Sequence, residues 1–214
     1  MVLQLDHLPS LRKNDILRAS NVLSEAFIHD PLWNKVFEGV PGFRERFKTF
    51  FETPLLFCMK YGKVFVSSDQ IEGVAGVVPG KWADMTLWRI IRSGALYSTM
   101  KIGTTIAKRM APLGKVLPRD RNQHMGKRSF MYLFILGVAP AYQNKGIGKK
   151  LVTDLTDFCD RKELPIYLET ETEENVRMYE YFGFTVLKEI VIDGLGVPMW
   201  EMVREPQTVS GSVE

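Results

Sequence analysis

The sequence FMYLFILGVAPAYQNKGIGKKL, residues 130–151, decides the fold that we predict for this chain. Its first nine residues form an apolar run rich in aromatic and branched side chains, which predicts a strand. Pro140 ends that strand, because proline cannot donate to a β-ladder. From Ile147 to Cys159, apolar residues recur at spacings of three and four, which predicts a helix with one buried face. The stretch is therefore predicted to form a strand, a glycine-containing turn and a helix.

The turn between the predicted strand and helix has the composition of an anion-binding site. Gly146 and Gly148 have no Cβ, so a ligand can approach the main chain closely. The first N–H groups of a helix have no partner within it and lie at the positive end of its dipole. Phosphate or pyrophosphate is the usual occupant of such a site. Lys145, Lys149 and Lys150 would add positive charge around it.

Two common glycine motifs do not fit this turn. A P-loop would need a glycine in place of Gln143 and a serine or threonine in place of Lys150. A dinucleotide-binding fingerprint would need its third glycine in place of Leu151. The pattern that remains is Q-x-x-G-x-G, from Gln143 to Gly148, and it resembles the acyl-CoA pyrophosphate loop of the GNAT acyltransferase superfamily.

A second motif extends this resemblance. The pattern L-E-T-x4-N-x3-Y-x3-G-F covers residues 168–184 and contains Glu169, Asn175 and Tyr179. It is similar to the C-terminal half of GNAT enzymes, and most similar to the puromycin N-acetyltransferase-like branch. The similarity is clear over residues 128–204 and looser over 15–80, whereas residues 81–127 are hardly covered.

The resemblance implies an α/β (α+β mixed) chain with the GNAT-type fold. In that fold a central mixed, twisted sheet of about six to seven strands is flanked by helices and splayed between its two central parallel strands. We expect a single domain over residues 1–206, a helical and basic insertion at about 81–128, and a flexible tail at 207–214. Further helices are predicted at 11–27, 43–61 and 175–182, and further strands at 63–67, 71–78, 164–170, 185–192 and 198–204.

The resemblance also implies acetyl-CoA-dependent transfer of an acetyl group to a primary amine, by direct attack in a ternary complex. Tyr179 is the implied general acid, and Glu169 is our candidate for the base because it ends a strand beside the splayed one. Glu171 and Asp30 stay open as alternative bases. The implied acetyl-CoA-binding residues are Leu136, Gly137, Val138, Gln143, Asn144, Lys145, Gly146, Ile147, Gly148, Lys149, Asn175 and Tyr179.

The acceptor side of the site is less defined by the sequence. Asp30 precedes a proline and is biased away from helical geometry, so we predict a loop at residues 28–33. Asp30 and Trp33 either cap and pack locally or, with Phe27, contact the substrate. The basic region 101–128 is either a solvated connection or a positive rim that attracts an anion. His124, in that region, is expected to take no part.

Composition limits the partners that we expect. The net charge of +3 is too small to predict nucleic-acid binding by itself. The first residues do not have the pattern of a signal peptide, and no apolar run reaches the roughly 20 residues of a membrane span. We therefore expect a cytoplasmic protein without a membrane partner or metal, with Cys58 and Cys159 as reduced core thiols. The partners that the resemblance implies are acetyl-CoA and an amine-bearing small molecule, with a homodimer left open.

Two other functions stay open at this point. The acceptor amine could belong to a protein or peptide instead of a small molecule. The chain could also be a regulator that binds acyl-CoA without catalysing transfer.

Overall fold

The computed structural model describes residues 4–5 and 7–207, and in this part of the chain a single mixed sheet is flanked by helices. The strands are β1 (Lys63–Val66), β2 (Gly73–Pro79), β3 (Met131–Val138), β4 (Ile166–Thr170), β5 (Thr185–Ile192) and β6 (Val197–Arg204). The helices are α1 (Ile16–Ala26), α2 (Pro31–Phe37), α3 (Phe43–Tyr61), α4 (Leu87–Ser93), α5 (Leu96–Ile102), α6 (Thr104–Met125), α7 (Ile147–Arg161) and α8 (Glu173–Tyr181). The predicted GNAT-type architecture is confirmed.

The sheet opens in its centre. Its strand order is β1-β2-β3-β4-β6-β5, and β3 and β4 are the parallel neighbours. Their ladder pairs Met131 with Ile166 and Tyr132 with Tyr167, and no further pair joins the two strands within the described residues. Beyond Tyr132 the strands therefore separate, and the edge of β3 that faces β4 is left without a strand partner.

The other edge of β3 carries a bulge. Gly76 of β2 is opposite Ile135, but the next residue, Val77, is opposite Leu133, so Phe134 is the extra residue in β3. Bulges bend a strand and increase its local twist. The bulge therefore contributes to turning β3 away from β4 at the point where the gap opens.

Helices cover both faces of the sheet, because successive side chains of a strand point to opposite faces. Tyr132 belongs to the apolar core on the side of α1 and α3, whereas Met131 and Leu133 belong to the core on the side of α7. Cys58 and Cys159 are fully buried free thiols, one in each core, as predicted.

The prediction of a loop at residues 28–33 is wrong, because α2 begins at Pro31. Asp30 has an extended backbone, and its carboxylate accepts hydrogen bonds from the N–H groups of Leu32 (3.0 Å) and Trp33 (3.1 Å). A proline at the first helical position fits a helix start, since its missing N–H would have no partner there. The capping alternative for Asp30 is confirmed.

The region 81–128 contains three helices, and most of its basic part, 101–128, lies in α6. A turn at Gly103 separates α5 from α6, and α6 continues to Met125 although it contains Pro112 and Pro118. Of the predicted tail, Gln207 donates its backbone N–H to Asp160 (2.8 Å), and residues 208–214 lie outside the described part. None of the helices described has both the length and the apolar character that a membrane span requires.

Candidate active site

A cavity of about 700 Å³ lies at the gap between β3 and β4. Its floor is formed by the separating strands, including Tyr132, Leu136 and Glu169. Helices α2, α3 and α6 contribute its walls, and residues of α8 lie at its other side. The sheet opening that the fold creates is therefore the entrance to a chamber of the size that small-molecule sites usually have.

Glu169, near the end of β4, is held by two neighbours in this cavity. Its Oε1 accepts a hydrogen bond from the Arg121 guanidinium (3.0 Å), and its Oε2 accepts one from the Tyr132 hydroxyl (2.5 Å). Only 5% of the Glu169 side chain is exposed. Burial raises the pKa of its carboxyl to about 6, while Arg121 and the Tyr132 hydrogen bond oppose that rise. Glu169 is therefore ionised at neutral pH, and its pKa is close enough to neutral pH for the carboxylate to act as a base.

Arg121 is the site residue that sequence reasoning missed. It comes from α6, where its guanidinium also donates to Asp84 (2.7 Å) and lies 4.5 Å from the centre of the Tyr132 ring. In the sequence it was one of several cations in a basic region with a single acid. The signal that could have found it is its position in a helix that continues past Pro118, which turns Arg121 towards the sheet.

Replacing Arg121 by alanine is expected to lower the free energy of unfolding by about 3 kcal/mol. The change removes the cation that compensates the negative charge of Glu169, and only 5% of the Glu169 side chain is exposed. Denaturant unfolding of the variant measures the effect, with Lys115→Ala as the control because Lys115 is an exposed cation of the same helix. Equal stability of both variants would contradict the role that we assign to Arg121.

A second pair of carboxylates lies beside Glu169. Glu171 lines the cavity, and its pKa is raised by burial first and then by the negative charges of Asp30 and Glu169. Burial also raises the pKa of Asp30, against the hydrogen bonds that it accepts from the start of α2. Two carboxylates that oppose each other's ionisation favour a proton or another cation between them. This end of the cavity is therefore suited to an ammonium group.

Tyr179 lies on α8, across the site from the β3 edge. Its ring packs edge-on against Phe184 (5.4 Å between ring centroids), and both Tyr179 and Asn175 line the cavity. The helix is capped by Thr172, whose hydroxyl accepts from the Asn175 N–H (3.2 Å). Burial, and then the charge of Glu171, raise the pKa of Tyr179. Its hydroxyl therefore stays protonated at neutral pH and can donate a proton.

The glycine loop follows the carboxyl end of β3, at the side of the sheet where the gap opens. Asn144 and Gly146 have positive φ angles (60° and 79°), and α7 begins directly after Gly146. The side-chain amide of Gln143 donates to the carbonyl of Val138 (3.1 Å), which ties the loop to the end of the strand. The predicted pyrophosphate-binding residues, from Gln143 to Lys149, form one continuous and largely exposed surface.

The outer side of this loop is open, as the space around its two glycines indicates. A Cβ added to Gly148 would meet the Val138 side chain at 3.7 Å, which is ordinary contact, and a Cβ at Gly146 would meet nothing within 4 Å. The main chain here is therefore accessible to a ligand. The first N–H groups of α7 point to this surface, so the loop fits an anionic phosphate group.

The end of β3 differs in one respect from the prediction. Gly137 is one of the implied acetyl-CoA-binding residues, and a glycine within a strand often marks a bulge or the close approach of a ligand. The bulge lies instead at Phe134, and a Cβ on Gly137 would lie 2.8 Å from Leu23 and 3.1 Å from Ala26 of α1. Glycine is thus required at 137 because α1 packs closely on β3. Its neighbour Leu136 does line the cavity.

The structure brings part of the predicted acceptor set together. Phe27 and Trp33 line the cavity, and Asp30 adjoins it through Glu171. His124, which we expected to take no part, lies in α6 and bonds to Glu201 (2.8 Å), away from the cavity lining. Within residues 4–5 and 7–207, no group of three or more potential metal ligands comes together.

Comparisons with known proteins agree with this architecture. A family model described as the Acetyltransferase (GNAT) family matches residues 102–184. An uncharacterized N-acetyltransferase of Schizosaccharomyces pombe is 37% identical over 94 residues, which are 43% of this chain and 36% of that protein. The matched part thus spans about a third of the length of this relative.

Two solved structures share the fold over nearly the whole chain. One is described as histone acetyltransferase HPA2 and related acetyltransferase from Corynebacterium glutamicum, with a TM-score of 0.62, 20% identity and coverage of 95% of this chain and 97% of that one. The other is the C-terminal condensation domain of Ebony in complex with beta-alanyl-dopamine, with a TM-score of 0.70, 11% identity and coverage of 92% and 97%. The similarity to the puromycin N-acetyltransferase-like branch stays a prediction. The match of residues 102–184 to the GNAT family model, the splayed sheet and the glycine loop all agree with the GNAT-type fold that we predicted.

Proposed function

We propose that this protein is an acetyl-CoA-dependent N-acetyltransferase that acts on a primary amine of a small molecule. The observation that carries the proposal is that Glu169 and Tyr179 line one cavity at the gap between β3 and β4. One residue is suited to accept a proton and the other to donate one. The glycine loop at the same end of the sheet supplies a site for the phosphate groups of the donor.

The residues around the gap fit the parts of acetyl-CoA. The free edge of β3 offers main-chain groups to the amide groups of the pantetheine arm, at Leu136, Gly137 and Val138. Asn175 would bind the same arm from the other side. The pyrophosphate would accept hydrogen bonds from the main chain of residues 143–149, with Lys145 and Lys149 as counter-charges. A main-chain N–H near Val138 would polarise the thioester carbonyl, a contribution of about 3 kcal/mol.

The proposed chemistry is direct transfer in a ternary complex. The acceptor amine attacks the thioester carbonyl and forms the C–N bond, and Glu169, directly or through water, takes the proton that the nitrogen loses. The C–S bond then breaks, and the departing thiolate receives a proton from Tyr179. Cys159 is fully buried, and burial raises its pKa to about 12, which argues against a covalent acyl-cysteine.

A small-molecule acceptor is favoured over a protein. The side chain of Glu169 is 5% exposed, so the acceptor nitrogen must enter the cavity to reach it. Mass spectrometry after incubation with acetyl-CoA separates the two, using an amine panel and a set of peptides with free N-termini and lysines. Acetylation of the amines alone supports the proposal, whereas acetylation of the peptides alone assigns the alternative.

Replacing Tyr179 by phenylalanine is expected to lower kcat by about a hundredfold, because the thiolate then leaves without a positioned proton donor. The Kd for acetyl-CoA should change little, since the ring and its packing on Phe184 are retained. Steady-state kinetics and calorimetric titration measure the two quantities, with Tyr181→Phe as the control because Tyr181 is 73% exposed on the same helix. An unchanged kcat would remove Tyr179 from the acid role.

The location of the protein in the cytoplasm and its assembly as a homodimer remain predictions from the sequence. Neither is needed for the proposed chemistry, because the donor site and the acid and base candidates come from one chain.

A further inference from the structure

The part of the cavity beyond the β3–β4 gap is apolar. We call it the acceptor chamber, and its walls come from α2, α3, α6 and the segment before α4. They include Trp33, Phe50, Pro54, Met85, Met110 and Leu117. Apart from the indole N–H of Trp33, these aromatic, aliphatic and thioether side chains offer contact area but no strong hydrogen-bonding group to a polar ligand. A ligand that fills this chamber must therefore have a largely apolar surface of its own.

The charged side chains of the cavity either form ion pairs with one another or lie at the end that contains Glu171. Among the described residues, four charged side chains line it: Asp84, Arg121, Glu169 and Glu171. Arg121 is bonded to both Asp84 and Glu169, so it is not available to an anionic ligand. Within residues 4–5 and 7–207, neither Glu171 nor Asp30 beside it forms an ion pair with a cationic side chain. The chamber therefore offers a place for one positive charge, next to the proposed reaction centre.

This arrangement discriminates between classes of amine. A polyamine or an aminoglycoside would bring a second ammonium group, or many hydroxyl groups, into the apolar part. Each of these groups would lose its water without gaining a partner, which opposes binding. A monoamine with an aryl or alkyl body would place its ammonium at Glu171 and bury its body against Trp33 and Met110, which favours binding.

We infer that the acceptor is a primary monoamine in which one ammonium group is attached to a bulky aryl or alkyl body. This inference rests on the proposed function for the transfer itself. It adds the substrate class, which neither the glycine loop nor the acid and base candidates specify.

Helix α6 allows the size of the chamber to be changed without disturbing the fold. Ala107, Ala111 and Gly114 line the cavity at spacings of four and three, so they lie on one face of the helix. A Cβ added to Gly114 would meet nothing within 4 Å, and this residue does not have a positive φ. Gly114→Leu therefore puts a side chain into open space and replaces a poor helix former by a good one. Thr105→Leu, at an exposed position of α6 that does not line the cavity, is its control.

The test compares four acceptors with the wild type and these two variants: propylamine, 2-phenylethylamine, octylamine and spermidine. We expect kcat/KM to rise at least about tenfold from propylamine to 2-phenylethylamine or octylamine, and spermidine to be a poor acceptor. Gly114→Leu should lower kcat/KM for the two bulky amines by about tenfold while leaving propylamine within about twofold. Thr105→Leu should behave as the wild type.

Calorimetric titration of the same amines, in the presence of CoA, separates this inference from the proposed function. One outcome is that the bulky amines bind, that Gly114→Leu weakens this binding, and that no amine is acetylated. This result would support the substrate class and overturn the activity. Acetylation of spermidine in preference to all the monoamines would keep the activity and overturn the substrate class. Equal effects of Gly114→Leu on propylamine and octylamine, or no binding of any monoamine, would also overturn the substrate class.

Discussion

Replacing Glu169 by glutamine is expected to lower kcat by a factor of about 10² to 10⁴, the usual contribution of a positioned general base. The amide has the shape of the carboxyl group and can still accept a hydrogen bond from Arg121, but it cannot take a proton. Glu174→Gln is the control, because it removes an exposed carboxylate from α8. Thermal unfolding of both variants checks that a change in kcat is not a loss of folded protein.

The pH dependence identifies the base more specifically. Burial raises the pKa of Glu169 to about 6, so the carboxyl group is protonated, and unable to accept a proton, below that pH. We therefore expect kcat to fall as pH decreases through about 6, and Glu169→Gln to lose this limb of the profile. If Glu169→Gln keeps the limb and Glu171→Gln loses it, the base is Glu171 and Glu169 only positions its neighbours.

Replacing Gly148 by glutamate is expected to weaken acetyl-CoA binding by about a hundredfold. Unit charges about 4 Å apart near a protein surface interact by about 4 kcal/mol, and part of this is screened by water and salt. The added carboxylate would lie at the start of α7, where the pyrophosphate is proposed to bind. Calorimetric titration with acetyl-CoA measures the change in Kd.

Gly148→Ala is the matched control for that measurement. Its Cβ would be 3.7 Å from the Val138 side chain, an ordinary contact, so the methyl group alone fits. We expect Gly148→Ala to stay within a few-fold of the wild type. Similar Kd values for Gly148→Glu and the wild type would remove the glycine loop from the donor site, whereas equal losses in both variants would assign the effect to bulk instead of charge.

The central strand, loop and helix could be predicted from the sequence because their signals are local. Pro140 ends a strand, and two glycines precede a helix whose apolar face repeats every three to four residues. The spacing of the second motif also led us to predict Glu169 and Tyr179 in one site, and both residues line the same cavity. These predictions needed no knowledge of which helices pack on which strands.

Most of the acceptor side could not be predicted, because the contacts that form it join residues that are distant in sequence. Arg121 meets Asp84 and Glu169, which are 37 and 48 residues away along the chain. Arg121 lies in α6, which could not be predicted as one continuous helix because it contains Pro112 and Pro118, and proline usually ends or kinks a helix. Gly137 likewise depends on the close approach of α1, which no local pattern indicates.

The most direct measurement is the release of CoA from acetyl-CoA in the presence of a primary amine, with the acetylated amine identified by mass spectrometry in the same sample. We expect one equivalent of N-acetylated amine for each CoA thiol released, at a rate that depends on enzyme concentration and is lost in Glu169→Gln. Binding of acetyl-CoA without release of CoA to any amine, small or peptide, would contradict it.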